Sequence, residues 1–232
     1  VPASDGLVGW WPGDGNATDI AGANNGTLLG GATANAAGVV GSAFSFDGTN
    51  SYVQIPDAPA LKPANLTVEA WVRFSSLDSA GNASAGQQYI VFKQNSRTYG
   101  FEGYDLGKAR SGGQDLFVVR VSSSDGTLAA VFSTTLVTTG VWYHVAGVRG
   151  SNFLQLYVNG QLQGQTNVGF AQDYGTTPVY LGSSGQAYWD RKFSGTLDEV
   201  SLYSRALSSN ELAGIATIVT PRRGSGSGRR AC

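Results

Sequence analysis

Four aspartates in turn-forming stretches are the first residues whose chemistry supports a prediction. Asp14 and Asp19 lie in the Gly-rich stretch DGNATDIAGANNG. Asp47 lies in FDGTNSYVQI, and Asp198 lies in the acidic phrase LDEV. Calcium takes carboxylate and carbonyl oxygens from irregular loops, whereas one histidine and a single terminal cysteine offer zinc or copper no cluster. We expect these four aspartates to bind a structural calcium ion, or else to stabilise their own turns.

Two of these aspartates also carry a local geometric prediction. The Asp47-Gly48 pair fits a two-residue type I′ turn, in which Asp tolerates positive φ and bonds the local backbone. Asp198 shares parity with Val200 and Leu202 on a predicted strand, so we expect it on the inward side or at its rim. A bare carboxylate is costly there and needs a cation or hydrogen-bond donors.

The residue pattern does not indicate a catalytic centre. Glycoside hydrolysis needs two carboxyl groups about 5 to 10 Å apart, but Glu69 has no second carboxylate on its strand face, and Glu102 and Asp105 differ in parity. His144, the single histidine, has no thiol in the body of the chain and no G-x-S-x-G serine to activate. We therefore expect His144 to be structural and the chain to be no enzyme, although carboxylates distant in sequence could still meet.

Aromatic residues beside polar ones offer a site for a sugar. In the phrase LTVEAWVRF, strand alternation places Glu69, Trp71 and Arg73 on one face, which we expect to be exposed to solvent. Tyr104 and Trp189 are expected in loops. A ring can stack on the apolar face of a sugar while nearby polar groups bond its hydroxyls. The alternative is that these aromatic residues only pack the fold.

The composition favours an all-β protein. Only 13% of the residues are charged, whereas 33 are Gly and 11% are aromatic, which suits short strands joined by Gly-rich turns. The net charge of −1 offers no basic surface for nucleic acid. Apolar runs stay far below the roughly 20 residues of a spanning helix. The chain begins at Val1 and contains no Met, from which we expect a secreted source with any leader removed.

Short alternating segments between turn signals predict the strands. Asn159-Gly160 and Asp125-Gly126 each predict a hairpin, and the Ser208 and Glu211 spacing predicts a capping box that starts one short helix. Besides 66–74 and the two hairpins, the predicted strands cover 7–11, 43–47, 51–55, 88–93, 98–104, 141–149, 178–182 and 195–204.

The chain divides into a body and a tail. Residues 1–220 are predicted to form one domain, whereas residues 221–232, PRRGSGSGRRAC, have too little apolar surface to fold alone. The tail is interpreted as a tag, a linker or a segment through which copies of the chain self-associate.

Five phrases in order resemble the concanavalin A-like, laminin G-like jelly-roll domains of bacterial extracellular proteins. They span about residues 6–216 and are GLVGWWPGDGNATDIAGANNGTL, AFSFDGTNSYVQIPDAPAL, LTVEAWVRF, WYHVAGVRGSNFLQLYVNGQL and GTLDEVSLYSRALSSNELAGI. The resemblance implies a jelly-roll sandwich of two antiparallel sheets with one short C-terminal helix. It also implies a structural calcium between an N-terminal loop and Asp198, and a structural role for His144. The E-x-D-x-x-E strand motif of the glucanases that share this fold is absent.

These features together predict a non-catalytic extracellular module for binding or adhesion. Its partner is expected to be a glycan or a cell-surface protein, with neither nucleic acid nor a membrane span involved. A structural subunit of an extracellular assembly is the alternative, and a glycan hydrolase or lyase is the least favoured prediction.

Overall fold

The computed structural model describes residues 5–80, 86–94, 102–186 and 190–217. The predicted ligand residue Trp189 and the tail 221–232 lie outside these residues, as does the predicted boundary at residue 220. No helix in the described part of the chain is both long enough and apolar enough to cross a membrane.

The described residues form fifteen strands, one α-helix and one short 3₁₀ helix at Pro59–Leu61. The strands in chain order are β1 (Leu7–Trp11), β2 (Thr27–Leu29), β3 (Thr33–Ala37), β4 (Ser42–Asp47), β5 (Tyr52–Ile55), β6 (Leu66–Phe74), β7 (Gln88–Gln94), β8 (Gly103–Ser111), β9 (Gln114–Ser122), β10 (Leu128–Leu136), β11 (Trp142–Arg149), β12 (Phe153–Val158), β13 (Gln161–Asn167), β14 (Val179–Leu181) and β15 (Ser194–Tyr203). The helix α1 spans Ser209–Ala216.

The strands form two antiparallel sheets, which confirms the predicted jelly-roll sandwich. The eight-stranded sheet has the order β13-β12-β11-β6-β15-β4-β3, and β1 pairs with the second half of β15. The seven-stranded sheet has the order β10-β9-β8-β7-β14-β5-β2. Because β1 and β15 come from opposite ends of the described chain, the middle of the eight-stranded sheet depends on long-range pairing.

Alternation within the strands builds the core between the sheets. On β6, the residues Val68, Ala70, Val72 and Phe74 point inwards and belong to one cluster of buried side chains. Facing strands contribute residues such as Val119 to the same cluster. The other face of β6 therefore points away from the second sheet, and we call this side of the eight-stranded sheet the outer face.

The helix covers part of this outer face. The hydroxyl of Ser208 accepts from the backbone N–H of Glu211, whose carboxylate accepts from Ser208 N–H, so the predicted capping box is confirmed. Leu212 and Ile215 pack in a second buried cluster with Tyr203 and other residues of the outer face. The helix thus removes from water a surface that an isolated sheet would expose.

Two predicted hairpins are confirmed and one turn was predicted wrongly. Asn159 and Gly160 take φ angles of 50° and 75° between β12 and β13, and Gly126 lies between the paired strands β9 and β10. The turn after Asp47 instead joins β4 to β5, which lie in different sheets. Only Gly48 has positive φ there, so the turn is not type I′.

Three strands were missed or misplaced by the sequence prediction. The strands β2 and β3 are short and rich in small residues, so they show no clear alternation. The strand predicted at 98–104 begins instead at Gly103 and continues to Ser111, through a stretch in which the charged residues Asp105 and Lys108 are buried. Residues 98–101 lie outside the described part of the chain.

Candidate functional site

The outer face brings together residues from three neighbouring strands. Trp71 on β6 pairs with His144 on β11 on one side and with Asp198 on β15 on the other. Residues directly opposite each other on paired strands point to the same face. These three side chains therefore form a row on the outer face. Glu69, two residues before Trp71 on β6, lies on the same face.

This face is buried, so the prediction that it faces solvent was wrong. Glu69 is 1% exposed and Trp71 is 6% exposed. Ile215 of the helix and Trp10 of β1 line the same cavity as Glu69 and Trp71, and both are distant in sequence from β6. Alternation showed which side chains share a face but could not show what lies over it.

A bulge on β15 decides where its two acidic residues point. The pairing with β6 shifts between Asp198 and Ser201, and Glu199 adopts a φ of 53°. Leu197 and Val200 both belong to the core between the sheets, whereas Asp198 lies opposite Trp71 on the outer face. The parity prediction for Asp198 was therefore wrong, because the bulge adds a residue and reverses the alternation.

A cavity of about 280 Å³ opens on the outer face. This volume is near the lower end of the roughly 300–1,000 Å³ found for small-molecule pockets. The lining is mostly apolar and includes Ile20 and Val40, two of the exposed large hydrophobic residues of the described chain. The lining residues are Trp10, Pro12, Asp14, Ile20, Val40, Glu69, Trp71, His144, Glu199 and Ile215.

Glu69 and His144 form a hydrogen-bonded pair in the wall of the cavity. His144 Nε2 lies 2.9 Å from Glu69 Oε2, and the hydroxyl of Tyr203 donates to Glu69 Oε1 at 3.2 Å. Both Glu69 and His144 are 1% exposed. The second ring nitrogen, His144 Nδ1, is buried without a hydrogen-bond partner among the described residues. The prediction of a structural histidine therefore accounts for only one of the two ring nitrogens.

Two acidic residues on the bulge have raised pKa values. Burial raises the pKa of Asp198 to about 6, against the opposing effect of the Val39 and Val40 N–H groups. Burial, and next the charge of Asp198, raises the pKa of Glu199 to about 7. Glu199 Oε2 accepts from Trp10 Nε1 at 3.1 Å, which holds that indole against the cavity.

Asp14 and Asp198 hold the same turn, as expected if the N-terminal loop meets the last long strand. Asp198 Oδ2 accepts from the N–H groups of Val39 and Val40 at 2.6 and 3.0 Å. Asp14 Oδ1 accepts from Ser42 N–H at 2.7 Å. Together these bonds fix Val40 at the rim of the cavity.

Asp19 organises the loop that forms another part of the rim. Its two oxygens accept from the backbone N–H groups of Ala21, Gly22 and Asn24 and from the side-chain amide of Asn24. Oδ1 also accepts from Trp10 N–H at 2.9 Å. This network ties Ile20 and Trp10 to the same side of the cavity.

The carboxylate of Asp47 stabilises its own turn, which was the predicted alternative to calcium binding. Its Oδ1 accepts from the backbone N–H groups of Thr49, Asn50 and Ser51. Although burial opposes ionisation, hydrogen bonds from Thr49 and Ser51 hold the pKa of Asp47 well below its ordinary value. Asp47 does not line the cavity.

The four aspartates predicted as calcium ligands do not form one group. Asp14 and Asp198 share a turn, but Asp19 and Asp47 each bind their own loop. Across the described ranges, no three Asp, Glu, His or Cys side chains gather in a way that could hold a metal ion. Asp198 Oδ1 is nevertheless buried and forms no hydrogen bond of good geometry with the described residues.

Two other predicted ligand residues lie away from the cavity. Tyr104 is fully buried in the core between the sheets, so its predicted place in a loop was wrong. Arg73 lies two residues beyond Trp71, but its guanidinium packs 4.9 Å from the ring centre of Trp142 and bonds Thr196. Neither residue lines the cavity.

The sequence prediction missed Trp10, Ile20, Val40 and Glu199. Trp10 carries a weak signal, because alternation in LVGWW places it on the face opposite the buried Trp11. The positions of the others depend on the bulge and on long-range hydrogen bonds, which no local pattern encodes.

A second cavity of about 220 Å³ has a different character. It is lined by Tyr52, Gly185, Gln186, Asp190 and Lys192. Lys192 lies over the Tyr52 ring at 4.3 Å and forms an ion pair with Asp190 at 2.7 Å. Lys192 and Asp190 therefore already neutralise each other in this cavity.

Solved structures similar to this chain share its fold. Domain 4 of AbnA, a GH43 extracellular arabinanase from Geobacillus stearothermophilus solved with arabinotriose, has a TM-score of 0.68 at 20% identity, covering 90% of this chain and 98% of that domain. The binding domain of Paraclostridial Mosquitocidal Protein 1 has a TM-score of 0.70 at 16% identity, covering 92% of this chain and 52% of that one. The botulinum neurotoxin serotype D binding domain has a TM-score of 0.67 at 15% identity, with coverages of 92% and 52%. This chain therefore spans about half the length of the two toxin domains.

No curated protein matches the chain in sequence. The laminin G-like family model described as "Concanavalin A-like lectin/glucanases superfamily" matches residues 47–213, which is more than half of the chain. Four of the five phrases that suggested this resemblance lie in or overlap this region, and the first phrase precedes it. The two-sheet sandwich is the fold that the resemblance implied. The chain belongs to the concanavalin A-like lectin/glucanases superfamily.

Proposed function

We propose that the chain is a non-catalytic extracellular module that binds a glycan in the cavity of the outer face. The observation that carries this proposal is the composition of the cavity wall. Trp10 and Trp71 supply aromatic surface, and Glu69, Glu199 and His144 supply polar groups beside it. A mostly apolar cavity with a few convergent polar groups is the general form of a small-molecule site.

The wall suits a sugar because a sugar has two kinds of surface. Its ring C–H groups form an apolar face that can pack on an indole. Its hydroxyl groups need hydrogen-bond partners when they leave water. The exposed side chains of Ile20 and Val40 extend the apolar surface at the mouth, so more than one sugar unit can be in contact.

The similar structures support a binding role without identifying the ligand. AbnA domain 4 was solved with a bound arabinotriose and belongs to an extracellular protein. The other two structures are binding domains of toxins. At 20% identity or less these likenesses concern the fold, so the sugar and the extracellular location are proposed for this chain.

The state of the acidic residues supports binding rather than hydrolysis. Glu69 accepts hydrogen bonds from Tyr203 and pairs with His144, so both of its oxygens already have partners. Glu199 accepts from Trp10. A glycosidase needs one carboxyl group free to protonate the leaving oxygen and a second free to attack or to activate water.

Calcium remains a proposal for Asp14 and Asp198. The buried Oδ1 of Asp198 supports it, because an uncompensated carboxylate oxygen in a buried place favours a cation. The other predicted ligands, Asp19 and Asp47, are satisfied by hydrogen bonds in their own loops. An ion at this place would stabilise the turn that carries Val40.

A glycan array followed by affinity measurement tests the proposed function. We expect the wild-type protein to bind at least one glycan class, and Trp10→Ala to weaken that binding by about tenfold or more, because the variant loses the stacking surface. Trp142→Ala is the matched control, since Trp142 is also half-buried on the eight-stranded sheet but does not line the cavity. Equal loss in both variants, or no binding to any glycan, would contradict the proposal.

A further inference from the structure

Apart from His144, which pairs with Glu69, the ionisable groups that line the cavity are all acidic. Asp14, Glu69 and Glu199 contribute carboxylates, and no Lys or Arg of the described chain lines it. Asp198 adds a fourth carboxylate next to Glu199. Arg73 lies on the same strand as Glu69 but is held aside by Trp142 and Thr196. The cavity is therefore acidic in a chain whose net charge is only −1.

A buried polar atom at the cavity also lacks a partner. The ring of His144 lines the cavity and is 1% exposed, and its Nδ1 has no hydrogen bond within the described residues. In the neutral tautomer that donates from Nε2 to Glu69, Nδ1 is an acceptor. A ligand that donates to Nδ1 would remove the cost of burying it unpaired.

The ionisable side chains of the wall can thus accept hydrogen bonds. Carboxylate oxygens and the imidazole Nδ1 can accept, while the indole N–H of Trp10 is already used by Glu199. The faces of Trp10 and Trp71 also favour a positive charge, because an indole ring attracts a cation. An acceptor-rich acidic wall with two indoles suits a ligand that donates hydrogen bonds and carries a positive charge.

On the basis of the proposed function, we propose that the cavity selects sugars with a free amino group, such as 2-amino-2-deoxy sugars, over neutral sugars and against acidic ones. The ammonium group would lie between the carboxylates of Glu69 and Glu199 and the two indoles. Neighbouring hydroxyls would donate to His144 Nδ1 after a small shift of its ring, because this atom is fully buried in the absence of a ligand. A uronic acid would bring a carboxylate against the same groups and be repelled.

The test compares oligosaccharides of equal length by isothermal titration calorimetry at pH 7. The probes are a glucosamine tetrasaccharide, its N-acetylated form, a glucose tetrasaccharide and an oligouronate. We expect the glucosamine form to bind at least about tenfold more tightly than the glucose form, and the oligouronate to bind most weakly. Acetylation removes the charge, so the N-acetylated form should lose most of the advantage.

Two variants show whether the preference comes from the cavity. Glu199→Gln keeps the shape of the side chain and should reduce the preference for glucosamine over glucose to below about threefold. Asp78→Asn is the control, because Asp78 is an acidic residue that is 60% exposed and does not line the cavity. It should leave the preference unchanged.

The outcomes separate this inference from the proposed function. A preference below threefold in the wild type, no binding of the glucosamine probe, or a preference that survives in Glu199→Gln would overturn the inference. In those cases a neutral glycan bound through Trp10 would still support the proposed function. If no glycan on the array binds, both the inference and the proposed function are wrong.

Discussion

The two sheets differ in whether their buried acidic residues form ion pairs with Lys or Arg. In the seven-stranded sheet, buried Lys93 pairs with Asp57, buried Lys108 pairs with Asp115, and buried Asp105 pairs with Arg120. On the outer face of the eight-stranded sheet, Glu69, Asp198 and Glu199 are at least partly buried, and among the described residues no Lys or Arg forms an ion pair with them.

We interpret the paired charges as part of the folded scaffold and the carboxylates without a Lys or Arg partner as groups that a ligand could contact. A buried pair with good geometry offsets most of its desolvation cost internally. A buried carboxylate without a cation keeps a free-energy cost, and such groups concentrate at functional sites. The cavity lies where the uncompensated carboxylates are, which is the reason for placing the proposed binding on the eight-stranded sheet.

The largest fall in the free energy of unfolding should come from breaking an ion pair in the seven-stranded sheet. Arg120→Met removes the cation that lies 2.9 Å from Asp105, a residue that is 1% exposed. Removing one partner of a buried pair costs about 3 to 5 kcal/mol, because the other charge is left uncompensated. Urea denaturation monitored by tryptophan fluorescence gives this free energy of unfolding.

Glu199→Gln is the matched test on the eight-stranded sheet. At pH 7 the group is only partly ionised, because its pKa is about 7, and burial disfavours the charge that the substitution removes. The free energy of unfolding at pH 7 should therefore fall by no more than about 0.5 kcal/mol or should rise. A loss of 3 kcal/mol there, or a negligible loss in Arg120→Met, would mean that the two sheets do not differ as described.

The next largest effect should come from Asp19→Ala. Asp19 is 3% exposed and accepts hydrogen bonds from the loop and from Trp10 N–H. Because hydrogen bonds to a charged group contribute about 1.5 to 3 kcal/mol, we expect the free energy of unfolding to fall by about 2 to 3 kcal/mol. Glycan affinity should fall as well, because Trp10 and Ile20 would lose their anchor.

Asp47→Ala is the control for this prediction. Asp47 also accepts several backbone hydrogen bonds in a loop, but it does not line the cavity. The variant should lose stability and keep its glycan affinity at a temperature where it is folded. Loss of binding in both variants would show that instability, and not the cavity wall, explains the result for Asp19.

The smallest effect concerns calcium. Extracellular modules bind calcium with Kd values on the order of 0.1 to 1 mM. A site with a Kd of about 0.1 mM, in about 1 mM calcium, stabilises the folded state by about 1.4 kcal/mol, which corresponds to a rise in Tm of about 3 to 6 °C. Calorimetry with calcium and with excess chelator measures the difference.

Asp198→Asn controls the calcium prediction. The variant keeps an oxygen for Val39 and Val40 but weakens any cation site, so its Tm should not respond to calcium. An unchanged Tm of the wild-type protein in chelator would remove calcium from the account and leave the cavity proposal in place.

Local patterns in the sequence predicted the elements of the fold. Alternation identified the long strand β6, Asn159-Gly160 identified a hairpin, and the Ser208 and Glu211 spacing identified the helix start. Each of these signals comes from a few adjacent residues whose backbone preferences agree with the final structure. The short strand β3, made mostly of small residues, gave no such signal.

The candidate site was predicted only in part, because its walls are long-range. Glu69 and Trp71 were identified as neighbours on one face, but the cover over that face comes from both ends of the described chain. Glu199 points to the cavity because of a bulge, and Val40 lies at the rim because Asp198 binds its N–H. Neither the bulge nor this long-range hydrogen bond can be predicted from the neighbouring residues in the sequence.

A crystal structure of the protein with the tightest-binding glycan from the array tests the central claim most directly. We predict that a sugar ring packs against Trp10 or Trp71, with a hydroxyl or amino group within hydrogen-bond distance of His144 Nδ1 or Glu199. A glycan bound instead beside Tyr52 and Lys192, with the outer face unchanged, would contradict the account.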